Sequence, residues 1–154
     1  MTQSHTRLVS AAFLSSSLLL ASCAVLPLRE LYFSASINAN QNQATSLDIV
    51  WLYDNTINEV LPHTSSDWFL QRSAILDTYG TSIEVISLEI PPGTAVSGIA
   101  LPSNSRKAVA VRAYANYTTT AGQQVLTLGE QHCGLIELHE TDWTYTDCEK
   151  QDSE

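Results

Sequence analysis

Apolar and polar positions alternate along much of the chain, and this alternation predicts a series of short β-strands. Residues 31–37 place an apolar side chain at every second position and end at Ile37. Residues 46–53 contain an unbroken apolar run, which is expected where both faces of a strand are covered. Further strands are predicted over residues 81–90, 95–101, 107–117 and 124–128.

Two of these strands carry more specific predictions. In residues 81–90 the apolar parity flips between Val85 and Ile86, which indicates a β-bulge. The turn Pro91-Pro92-Gly93 then ends that strand. Strand 107–117 is expected to bury every second side chain, and these are Val109, Val111, Ala113 and Ala115.

One helix is predicted, over residues 65–79. Thr64 and Asp67 have the spacing of a capping box, and Gly80 is a typical stop. The apolar positions between them follow helical spacing, with Arg72 as the exception. By contrast, the polar stretch 38–45 predicts a loop.

The final hairpin is the most closely specified element. A tight turn at residues 140–141 makes the facing positions sum to 281, and one apolar face results. The facing pairs are Leu138 with Trp143, Ile136 with Tyr145, and Cys133 with Cys148. Directly facing residues have Cα atoms about 4.5–5.5 Å apart, which a disulfide tolerates. Together, seven or eight short strands and one inserted helix predict an all-β fold, a two-sheet β-sandwich with a disulfide-closed C-terminal hairpin.

The first 22 residues are typical of a secretory signal. One arginine, Arg7, precedes a short apolar run that ends in Leu20-Ala21-Ser22-Cys23. That run is too short to span a bilayer. The alternatives are a signal peptide that is cut elsewhere and a buried helix.

The position-specific pattern at Leu20 and Cys23 resembles the lipobox of bacterial lipoproteins. The resemblance implies cleavage before Cys23, a diacylglycerol thioether on its thiol and, usually, acylation of the new amine, so that several chains anchor the protein. Ala24, rather than Asp, follows the cysteine, which in enteric-type bacteria implies the outer membrane and a periplasm-facing body. The predicted organisation is signal 1–22, lipidated tether 23–30, sandwich 31–148 and acidic tail 149–154.

Charge and cysteine content narrow the function. The chain has a net charge of −9, and loss of Arg7 with the signal makes the mature protein more acidic still. Nucleic acid is therefore excluded as a partner, because the cations that neutralise phosphates are missing. With Cys23 lipidated, Cys133 and Cys148 remain, an even number that favours a disulfide in an oxidising compartment.

No motif predicts catalysis, a metal or a cofactor. His132, Cys133, His139, Glu140 and Asp142 are close in sequence, but their spacing matches no zinc motif. No nucleophile-elbow motif supports a hydrolase. The three tryptophans Trp51, Trp68 and Trp143 are predicted as core, with an aromatic ligand platform as the alternative.

Several segments in order resemble the type VI secretion lipoprotein TssJ family. They are the lipobox, the strand 47–53, the aromatic helix start 67–70, the strand 83–90 with Pro91-Pro92-Gly93, and the strand 109–114. The resemblance implies a transthyretin-like sandwich anchored in the outer membrane, where it would be a non-catalytic part of a trans-envelope secretion complex. It also implies docking onto the periplasmic part of an IcmF-like inner-membrane protein. The loop after the first strand would contribute to docking, and its candidate residues are Asn38, Asn40, Gln41, Asn42 and Gln43.

A different class of function is also compatible with the sequence. A free-standing, periplasm-facing lipoprotein could bind a small ligand or inhibit an enzyme. A deep pocket lined by the tryptophans would favour that alternative.

Overall fold

The computed structural model describes residues 26–148, and within them eight strands form two four-stranded sheets that pack face to face. The predicted sandwich is therefore confirmed. The strands are β1 Glu30–Ala35, β2 Thr45–Leu52, β3 Ile83–Ile90, β4 Ser97–Ile99, β5 Ala110–Ala115, β6 Val125–Leu128, β7 Cys133–Leu138 and β8 Trp143–Asp147.

The two sheets have the strand orders β4-β1-β7-β8 and β3-β2-β5-β6. Strands β1 and β7 are parallel, and the other paired strands are antiparallel. The main core lies between the sheets and includes Leu31, Ile49, Trp51, Ile136 and Trp143, each at most 1% exposed. Alternating side chains from both sheets thus fill one apolar layer.

The outer face of the second sheet is covered by the helix Ser65–Tyr79, whose predicted bounds are confirmed. Thr64 caps the helix, since its hydroxyl accepts a hydrogen bond from the Asp67 amide at 3.1 Å. Trp68 is fully buried under the helix and stacks on Tyr114 of β5, with ring centroids 4.6 Å apart. This contact forms a second apolar core between helix and sheet.

The bulge predicted in β3 is wrong. The pairing of β2 with β3 runs without interruption from Thr45 opposite Ile90 to Leu52 opposite Ile83. The parity changes because both faces of β3 are partly covered. Val85 packs toward the helix, whereas Ile86 packs into the core between the sheets.

Other local predictions need correction at their ends. Ile37 lies beyond the end of β1 and is 84% exposed, because the chain turns away from the sheet after Ala35. Val109 precedes β5 and is 41% exposed, while Val111, Ala113 and Ala115 are buried as predicted. The connections also contain a short helix, Asn55–Asn58, and 3-10 turns at Ser105–Lys107 and Ala121–Gln123.

The C-terminal hairpin has the predicted register. Leu138 pairs with Trp143 and Ile136 with Tyr145. Cys133 and Cys148 form a disulfide with their Cα atoms 5.5 Å apart. The apolar face of the hairpin is buried in the main core.

The chain before β1 already belongs to the folded body. Leu28 is 1% exposed, and the amides of Arg29 and Glu30 donate to the His132 carbonyl at 2.7 and 3.1 Å. The signal peptide, Cys23 and the acidic tail lie outside the described residues.

Within residues 26–148, no helix has the length and apolar character needed to cross a membrane.

Candidate protein-docking site

Four connections meet at one end of the sandwich, which we call the far end. They are residues 36–44, 91–96, 116–124 and 139–142. Each of them joins strands at the end of the sandwich where β1 ends. The opposite end, which we call the N-terminal end, carries residues 26–29, 100–109 and 129–132. Six residues of β1 separate the two ends, a distance of about 20 Å.

Asn40 joins three of the far-end connections. Its side-chain amide donates to the Asn116 carbonyl at 3.2 Å, and its carbonyl oxygen accepts from the Thr118 amide at 2.9 Å. Its backbone amide donates to the His139 carbonyl at 2.9 Å. Because the Asn40 side chain is only 1% exposed, these bonds form inside the domain and are shielded from water.

The same network holds an unusual backbone. Asn40, Gln41 and Asn42 have φ angles of 47°, 55° and 65°, in the left-handed region that non-glycine residues seldom adopt. Asparagine tolerates this region better than most residues, and it occupies two of the three positions. The predicted loop is therefore an ordered left-handed turn, held in place by the buried Asn40 side chain.

The five candidate residues differ in their exposure to solvent. Gln41, Asn42 and Gln43 are exposed, and Asn38 is half-buried. Asn38 donates to the Glu140 carboxylate at 2.8 Å. Asn40 is buried, so its side chain is used within the domain and the other four are the ones that a partner can reach.

The hairpin turn between β7 and β8 is fastened to the same surface. The Gln41 amide donates to the Glu140 carbonyl at 3.1 Å, and the Tyr117 hydroxyl donates to the His139 carbonyl at 3.0 Å. Burial raises the pKa of Tyr117, so the hydroxyl remains a donor into the alkaline range. Thr119 also donates to the Thr141 carbonyl. The sequence predicts the tight turn at residues 140–141, but no local pattern indicates that this turn lies against residues 38–43.

Charge is distributed unevenly between the two ends. The four far-end connections contain no Lys or Arg, and their charged residues are Glu140 and Asp142. Arg29, Arg106 and Lys107 lie in the N-terminal connections.

The structure also places the three tryptophans and the residues that were considered as metal ligands. Trp51, Trp68 and Trp143 are all fully buried, so the prediction that they are core residues is confirmed. Cys133 is bonded to Cys148, and residues 26–148 contain no group of three or more His, Cys, Asp or Glu side chains arranged to hold a metal ion.

An open cleft of about 520 Å³ lies beside the end of the helix. It is lined by Tyr53, Gly80, Thr81, Ile83, Glu84, Asn104 and Lys107. Tyr53 donates to Glu84 at 2.9 Å, and burial, followed by this carboxylate, raises the pKa of Tyr53 to about 12. No tryptophan lines the cleft.

Comparison with solved structures identifies the fold. Lip from Serratia marcescens, a membrane-bound component of the type VI secretion system, is similar over 77% of this chain and 95% of its own, with 11% identity and a TM-score of 0.56. The type VI lipoprotein TssJ1 from Pseudomonas aeruginosa is similar over 76% and 92%, with 17% identity and a TM-score of 0.56.

A third similar chain belongs to a structure of the type VI secretion protein TssM C-terminal domain from EAEC. It covers 76% of this chain and 95% of its own, with 18% identity and a TM-score of 0.50. The sequence matches no protein-family model and no curated protein. The similarity to the solved structures of Lip and TssJ1 confirms the resemblance to TssJ at the level of the fold.

Proposed function

We propose that this protein is a non-catalytic lipoprotein of the outer membrane, which faces the periplasm and forms a structural part of a type VI trans-envelope secretion complex. The observation that carries the proposal is the fold shared with Lip and TssJ1, combined with a sequence at Leu20–Cys23 that resembles a lipobox. The burial of all three tryptophans supports an assembly role, because these side chains are not available to form a ligand platform.

The chain length between lipid and domain supports a defined orientation. Cys23 precedes Leu26 by three residues, and Leu26 packs against the core. Three residues span at most about 11 Å. An acylated Cys23 would therefore hold the N-terminal end at the membrane surface, and the far end would point into the periplasm.

The partner that we propose is the periplasmic domain of a TssM-like, that is IcmF-like, inner-membrane protein. A similar chain occurs in a structure of a TssM C-terminal domain, which supports this choice. Docking would use the far end, where Asn38, Gln41, Asn42 and Gln43 are accessible and Asn40 holds the turn.

The anchor can be tested with a Cys23→Ser variant. Wild-type protein should incorporate labelled palmitate and sediment with outer membranes, whereas Cys23→Ser should do neither. The double variant Cys133→Ser/Cys148→Ser is the control, because it removes the other two cysteines together and should leave labelling unchanged. Wild-type protein that carries no acyl chain and stays in the soluble fraction would refute the anchoring proposal.

The assembly role is tested by affinity purification of the tagged, acylated protein from solubilised membranes of its own bacterium. A TssM-like protein should co-purify at near-stoichiometric yield and should be lost from a mock purification. If the lipoprotein instead purifies without any inner-membrane secretion protein, the assembly role is wrong and the ligand-binding alternative becomes the better one.

A further inference from the structure

The far end is one continuous surface made by several connections. Residues 36–44 are bonded to residues 116–124 through Asn40 and to residues 139–142 through Gln41 and Asn38. The fourth connection joins them, since the Gly93 amide donates to the Ser36 carbonyl at 2.9 Å. The left-handed turn and the β7–β8 turn are therefore neighbours on the same surface.

This surface has a distinct chemistry. Its two charged side chains in the connections, Glu140 and Asp142, are both acidic, and Glu140 is exposed. The described cations lie elsewhere: three are at the N-terminal end, and Arg72 and Arg112 are hydrogen-bonded within the domain. No cation on the far-end connections compensates these carboxylates.

The same surface presents two exposed aliphatic side chains. Ile37 is 84% exposed and Val96 is 62% exposed, in connections that are hydrogen-bonded to each other. Gly93 lies against Ile37, where an added Cβ would sit 3.9 Å from the Ile37 Cα. The backbone around Ile37 is thus supported while its side chain projects into solvent.

We infer that the far end is an acidic docking surface with Ile37 as its apolar anchor, and that the partner presents a basic surface around an apolar pocket. The inference rests on the proposed function and extends it, because it adds the β7–β8 turn and Ile37 to the docking loop and assigns the partner's chemistry. Complementary charge would speed association, and burial of Ile37 in the partner's pocket would slow dissociation. Anchoring at the other end leaves this surface free for a partner that comes from the periplasm.

The experiment measures binding of the TssM-like protein's purified periplasmic domain to the acylated full-length lipoprotein in nanodiscs, at low and at physiological salt. Ile37→Ala should weaken binding at least about tenfold, as expected for a central anchor. Val109→Ala is its control, because Val109 is an exposed aliphatic side chain in the connection 100–109 at the N-terminal end. The control should stay within about twofold of wild type.

Charge is tested at Glu140. Glu140→Lys should slow association about tenfold at low salt and less at physiological salt. Glu140→Gln should also slow association, although its side chain can still accept the hydrogen bond from Asn38. Glu130→Lys, an exposed glutamate at the N-terminal end, is the matched control and should leave the rate unchanged.

The outcomes separate the two proposals. If wild-type protein does not bind the periplasmic domain, the proposed function is overturned together with this inference. If wild-type protein binds but Ile37→Ala and Glu140→Gln bind equally well, the docking role stands and the acidic, Ile37-anchored surface is refuted. Unchanged melting temperatures for the variants show that any loss of binding reflects the surface itself.

Discussion

Asp48 is a buried carboxylate in β2, and its partners explain why the sheet accepts a charge there. The residue is 1% exposed. Its carboxylate accepts from the Trp68 indole at 2.8 Å and pairs with the Arg72 guanidinium at 3.2 Å. Because an unpaired buried charge is very unfavourable, the helix and the sheet stabilise each other through this residue. Arg72, the exception in the apolar spacing of the helix, is the partner that Asp48 requires.

Asp48→Ala should lower the free energy of unfolding by about 2–3 kcal/mol, because the buried Trp68 N–H loses its acceptor and Arg72 loses its counter-ion. Urea denaturation measures the loss. Asp77→Ala, at an exposed position of the same helix, should change stability by less than about 0.5 kcal/mol. Equal losses in the two variants would contradict this account of Asp48.

Tyr114 is expected to make the free energy of unfolding pH-dependent in the alkaline range. Burial raises its pKa to about 12, although the nearby Arg112 opposes the shift. The unfolded chain releases the same proton near pH 10, so the stabilisation is complete below pH 10 and is lost as the pH rises toward 12. Between these values the free energy of unfolding should fall by about 1.4 kcal/mol per pH unit from this residue.

The pH dependence is checked by urea denaturation of wild type and Tyr114→Phe between pH 8 and 11.5. The variant should lose about 1 kcal/mol at neutral pH, because the hydrogen bond to the Pro62 carbonyl at 3.1 Å disappears. Above pH 10 its stability should fall less steeply than that of wild type. Parallel curves over the whole range would show that Tyr114 does not cause the alkaline loss.

At the scale of the elements, the C-terminal hairpin is stabilised by a disulfide. The Cys133–Cys148 disulfide joins residues 15 apart and ties the end of β8 to the start of β7. Replacing both cysteines by serine should cost about 3 kcal/mol in the chain-entropy model. In the double variant, hydrogen exchange should become faster in β8 than it is in the wild type, and β2 should change less. Chemical reduction of the wild type should give the same pattern, and unchanged protection of β8 would refute the role of the disulfide.

Strand β3 shows how an element can mislead when its surroundings are unknown. The parity change at Val85 and Ile86 is the pattern that a bulge leaves in a one-sided strand. In this protein it arises because the helix covers one face and the other sheet covers the opposite face. Sequence alternation reports which side chains are apolar, whereas the number of covered faces depends on the rest of the fold.

For the molecule as a whole, the folded body begins before β1. A chain that starts at Leu26 should be as stable as the longer protein, whereas a chain that starts at Glu30 should lose about 3 kcal/mol. The reason is that the shorter chain lacks the buried Leu28 and the Arg29 amide bond to His132. Urea denaturation of the two soluble domains compares them. Equal stabilities would mean that residues 26–29 are only a tether.

Features that neighbours in the chain encode could be predicted from the sequence. The helix Ser65–Tyr79 follows from its cap, its spacing and its stop, and the hairpin register follows from a period of two and a tight turn. The two-sheet architecture follows from many short strands. These patterns are local, because each depends on side chains within a few residues of one another.

The far end, by contrast, depends on contacts between distant residues. Asn40 meets Thr118 across 78 positions, and Asn38 meets Glu140 across 102. No periodicity states which connections will lie side by side, so the buried role of Asn40 and the exposure of Ile37 emerged only from the folded arrangement. Local physics selects the strands and the helix, and long-range packing selects which of their loops form a common surface.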